Sequence, residues 1–84
     1  MDRATKKGFE SKMQSIVERH TGADVEVTYR GGLSWTFSGT PFQVETAAMD
    51  MVNLGGVVLE RPIEFDAELN ESFAFVRMAD KVTR

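Results

Sequence analysis

The sequence predicts one small α+β domain of 84 residues, in the order α-β-β-α-β-β. Its four strands are expected to form one antiparallel sheet in the order 1-2-4-3, with both helices on one face. Three observations carry this expectation. Residues 23–39 hold two runs of strict apolar–polar alternation around a Gly-Gly pair, the pattern of a β-hairpin with one buried face. Two other stretches repeat their apolar residues at helical spacing and end in glycine. After residue 57 the alternation returns, followed by a short run that is apolar on both sides.

Residues 4–20 make the first helix. Phe9, Met13, Ile16 and His20 share a stripe with Val17 at its edge, and Gly22 supplies a stop. In the hairpin, Val25, Val27 and Tyr29 face Leu33, Trp35 and Phe37. A two-residue Gly31-Gly32 turn would mix the faces. A three-residue loop, Arg30-Gly31-Gly32, pairs Tyr29 with Leu33, Val27 with Trp35 and Val25 with Phe37, so this register is expected, with positive φ at Gly32.

Thr40, Pro41 and Gln43 then announce a second helix. Threonine suits the N-cap, proline the first helical position, and glutamine three residues on completes a capping box. Val44, Ala47, Ala48, Met51, Val52 and Leu54 form its buried stripe, and Gly55-Gly56 ends it. Phe42 and Met49 fall off that stripe, seven residues apart on one face. Either they pack at the helix entrance and beneath the first helix, or they form an exposed contact patch.

Residues 57–69 alternate Val57, Leu59, Ile63, Phe65, Ala67 and Leu69 against a polar side, with Pro62 in the middle. Proline cannot donate into a ladder, so this is an edge strand or two short ones. Residues 72–78, apolar on both sides, suit an internal strand. The helices are expected over Val27, Trp35, Phe37 and Phe65. Residues 79–84 are expected to fray.

Composition narrows the function. There is no cysteine, which removes disulfides and thiolate chemistry and fits a reducing, cytoplasmic setting. No run is long and apolar enough to span a membrane, and the first residues lack the apolar core of a signal peptide. The net charge is −3 with no basic stripe, so direct nucleic-acid binding is not expected. His20 is the lone histidine, which rules out a histidine metal cluster. A triad of Ser34 or Ser38 with His20 and Asp24 lacks any supporting motif. Neither glycine pair opens a phosphate loop, and a metal site from Asp24, Glu26 and Asp50 has no loop signature. Trp35 and Phe37 read as core residues, because the wet face of the hairpin is acidic and hydroxylic rather than basic. No enzyme, cofactor or metal is expected.

The densest chemistry is acidic. Residues 60–71 hold five carboxylates against one arginine, a net −4. Glu60, Glu64, Asp66 and Glu68 are expected on one side of the strand, where carboxylates on alternate residues stand about 7 Å apart. Such a row either solubilises an edge strand or imitates a phosphate backbone. The expectation is a non-enzymatic protein-binding module, an inhibitor or regulator that masks a partner, such as a basic nucleic-acid-handling protein. Glu60, Glu64, Asp66 and Glu68 would bind, with Phe42 and Met49 as anchors. By size and composition alone this is the character of small phage or mobile-element inhibitors, anti-CRISPR proteins among them. The alternative is a structural subunit that forms a homodimer through an edge strand or the Phe42/Met49 patch.

Overall fold

The computed structural model describes residues 3–79. Helix α1 runs Arg3–Thr21, strands β1 and β2 run Glu26–Gly31 and Ser34–Gly39, and helix α2 runs Pro41–Asn53. Three more strands follow: β3 (Val57–Leu59), β4 (Glu64–Asp66) and β5 (Glu71–Met78). All pairings are antiparallel. The sheet therefore has five strands and not four. Its order is β1-β2-β5-β3, with β4 also paired to β5, which differs from the expected 1-2-4-3. The physical reason is Pro62: β3 ends at Leu59, β4 begins at Glu64, and the two lie along different stretches of β5.

Burial alternates along the strands, so one sheet face carries Val27, Tyr29, Trp35, Phe37, Ala74 and Val76. These side chains join Met13 and Val17 of α1 and Val44, Ala47, Ala48 and Met51 of α2 in a single core. Phe37 and Val76 are completely buried. Phe9 closes the α1 side, edge-on to Tyr29 at 5.1 Å between ring centroids.

The hairpin register differs from the expected one. Tyr29 pairs with Trp35 and Val27 with Phe37, while Gly31 pairs with Ser34 across a bulge at Arg30. The shift is by two residues, which preserves every face; a shift of one would have reversed them. Leu33 moves out of the core into the turn, where it is 61% exposed. Gly31 and Gly32 both have positive φ, 108° and 56°, so both positions call for glycine, not Gly32 alone.

The ends of α2 show one expectation met and one replaced. Gly55 N–H donates to Val52 O and Gly56 N–H to Met51 O, each at 3.0 Å, with Gly55 at φ 83°, which is a Schellman stop. At the start, Pro41 occupies the first turn, but the Thr40 side chain makes no cap hydrogen bond. The capping box does not form. The Gln43 Oε1 instead accepts the Asp24 N–H at 2.8 Å, tying α2 to the entry of β1. Within the frayed-tail expectation, Ala79 is fastened, its N–H donating to Gly56 O at 3.1 Å. Residues 80–84 lie outside the described residues. Among the described residues no helix is long and apolar enough to cross a membrane.

Candidate acidic binding surface

The strand pairings gather carboxylates from distant parts of the chain at one end of the sheet. Glu26 pairs with Ser38, Gly39 with Ser72, Asp66 with Glu71 and Glu64 with Phe73. The start of β1, the end of β2, the start of β5 and all of β4 therefore lie side by side. Asp24, Glu26 and Glu71 line an open cleft of about 680 Å³, together with Gln14, Thr40 and Gln43. Glu64, Asp66 and Glu68 line a second groove of about 380 Å³, around Phe65 and Phe73. Neither lining contains a lysine or arginine. Phe65 pairs with Ser72, on the other side of β4 from Glu64 and Asp66, and is 57% exposed.

Of the four acids read as a row, three share this surface and one does not. Glu60 lies in the break after β3, and its N–H donates to Phe75 O. Its carboxylate accepts from Arg30 Nη2 at 2.8 Å and from the Ser34 hydroxyl at 3.0 Å. Those two hydrogen bonds, Arg30 first, hold the Glu60 carboxyl below its ordinary range against the opposing effect of desolvation. Glu64 pairs with Arg61 at 3.3 Å, with both side chains about half exposed, a contact that contributes little. Asp66 shapes the following turn, its Oδ1 accepting the Glu68 and Leu69 N–H groups. The Glu68 carboxylate has no ion pair among the described residues.

Phe65 was expected beneath the helices. Helix α2 packs chiefly over β2, β3 and β5, and Phe65 on the three-residue β4 projects past its cover. Phe42 is 73% exposed in the first turn of α2, and Met49 is 40% exposed on the same outward side, opposite Val44, Ala47, Ala48 and Met51. Phe42 is therefore not packed at the helix entrance. Since α2 begins directly after Gly39 and Thr40, Phe42 stands at the acidic end of the sheet.

Sequence reasoning missed Asp24, Glu26 and Glu71 as partners of the 64–68 acids, because the link is a strand order and not a spacing. It also missed the outer side of β5. Phe75 lies on the open sheet face, with the Arg61 guanidinium 3.9 Å and the Arg30 guanidinium 5.2 Å from its ring centre. Arg30 is the bulged residue, and a bulge re-aims its side chain. Its Nη2 reaches the Trp35 and Val76 carbonyl oxygens as well as Glu60. The guanidiniums thus occupy the aromatic surface that a stacking platform would leave open.

The remaining chemistry is dispersed. His20 is exposed at the end of α1, beside Gly55 and Gly56, while Ser34 is bonded to Glu60 and Asp24 lines the acidic cleft. Among the described residues no group of three or more His, Asp or Glu side chains is placed to hold a metal ion. No protein-family model matches the chain, and no curated protein or solved structure shows significant similarity to it.

Proposed function

We propose that this protein is a non-catalytic binding module that docks its acidic sheet end onto a basic surface of a partner protein and masks it. The observation that supports this best is the convergence of Asp24, Glu26, Glu64, Asp66, Glu68 and Glu71 around two adjoining grooves that no lysine or arginine lines. Like charges gathered on one surface repel one another and weaken the fold. A partner's lysines and arginines relieve that repulsion and are steered toward it. Phe65 and Phe42 supply apolar anchors beside the charge, the arrangement in which a few large side chains dominate an interface. A basic groove that ordinarily holds a nucleic-acid backbone is the partner of matching chemistry. Glu60 belongs to the scaffold in this reading, and Met49 extends the Phe42 contact along α2.

The test is capture of partners from the source cell, followed by kinetics on the captured protein at low and high salt. Reversing Glu26 and Glu71 to lysine should slow association about tenfold at low salt and much less at high salt. Phe65→Ala should instead speed dissociation. An unchanged association rate for the double reversal at low salt refutes the proposal. The homodimer alternative predicts a mass that rises with concentration in light scattering, whereas a masking module stays monomeric without its partner.

A further inference from the structure

A second groove lies away from the acidic end, between α1 and the sheet. It encloses about 230 Å³ and is lined by Phe9, Lys12, Met13, Ile16, Trp35 and Met78. Five of these six side chains are apolar, and Lys12 supplies the only charge. Two polar features stand out. Lys12 is exposed and makes no ion pair among the described residues. Trp35 is 92% buried (8% exposed), and its indole N–H is a buried donor without an acceptor among the described residues. A buried donor left unpaired is unfavourable, and such groups are rare enough in folded proteins to call for an explanation. Phe9 and Met78 line the groove with Trp35 and are partly exposed, at 39% and 36%.

We propose that this groove binds a small carboxylic acid with an apolar body. The body covers Phe9, Ile16 and Met78, the carboxylate pairs with the Lys12 ammonium, and a ligand oxygen accepts the Trp35 indole N–H once the flanking side chains give way. An apolar wall with one or two placed polar groups is the usual make-up of a small-molecule site. The positive rim selects an acid over an amine or a neutral compound. The volume suits a single ring with a short chain.

Trp35 is the only tryptophan and lines the groove, so a change in its emission can be followed without interference from a second indole. The probe is 4-phenylbutyrate, with its uncharged amide as the matched control, titrated by tryptophan fluorescence and calorimetry. The acid should give a saturable change in Trp35 emission and bind more tightly than the amide. Lys12→Gln should weaken the acid about fivefold, the upper end for a part-exposed ion pair, and leave the amide unchanged. Lys12 is exposed on α1, so the variant keeps its fold. The proposal fails if no saturable change occurs, if acid and amide bind equally, or if Lys12→Gln weakens both alike. It also fails if Trp35 emission changes on dilution of the protein alone, which would mean that a second copy covers the groove.

Discussion

Leu33→Ala separates the hairpin register of the structure from the one that alternation suggests. In the suggested register Leu33 pairs with Tyr29 inside the core, and truncation there would cost about 2–5 kcal/mol. In the structure Leu33 is 61% exposed, so folding removes only about two-fifths of its surface from water. Full burial of a leucine is worth about 1.5–3 kcal/mol, so that fraction sets the cost near 0.5–1 kcal/mol. Val76→Ala is the control, because Val76 is completely buried; losing its two methyl groups should cost about 2 kcal/mol or more. Urea denaturation reads the difference. With a slope of about 1 kcal/mol per molar for so small a domain, Leu33→Ala should lower the midpoint by under about 1 M, and Val76→Ala by about twice that. A Leu33→Ala shift as large as that of Val76→Ala would mean that Leu33 is in the core and the observed register is wrong.

Two further outcomes follow from named contacts. Thr40→Ala should cost less than the ~1 kcal/mol usual for an N-cap, since its hydroxyl caps nothing, whereas Gln43→Ala should cost about 1 kcal/mol by freeing the Asp24 N–H; thermal melts rank the two. The Glu60 carboxyl is depressed in the folded state, so its stabilising contribution is present above the ordinary carboxylate range and is lost as pH falls through the folded value. Glu60→Gln should therefore be less stable than the parent near neutrality, with the gap closing in acid, as measured by denaturation across pH.

Much of the fold was legible because it rests on local patterns. The stripe around Met13 and Val17, the alternation in β1 and β2, and the stop at Gly55 each depend on residues a few positions apart. Contacts over longer distances overrode the local signals elsewhere. The spacing of Gln43 from Thr40 suits a cap for its own helix, and the structure spends it on Asp24, nineteen residues away. Two residues of hairpin slip kept the same faces buried, so alternation could not choose between the registers. The acidic site was half legible. Glu64, Asp66 and Glu68 are neighbours in sequence, but only the pairing of Asp66 with Glu71 and the place of β1 add Glu26 and Asp24. Glu60 looked like one more acid of the row because nothing in the sequence ties it to Arg30, thirty residues away.

Strand β5 gives the molecule a particular folding history. It is the common neighbour of β2, β3 and β4, and it carries Ala74 and Val76 into the core. Without Glu71–Met78, both edges of the β1–β2 ribbon are unpaired, and β3 and β4 have no strand partner among the described residues. A lone two-stranded ribbon is marginal in water. Without β5, Trp35 and Phe37 lack their β5 neighbours Val76 and Ala74. The final closure joins residues as far apart as Ser34 and Arg77, a long loop to close. Pairing of β5 with β2 and β4 is also what brings the acidic end of the sheet together.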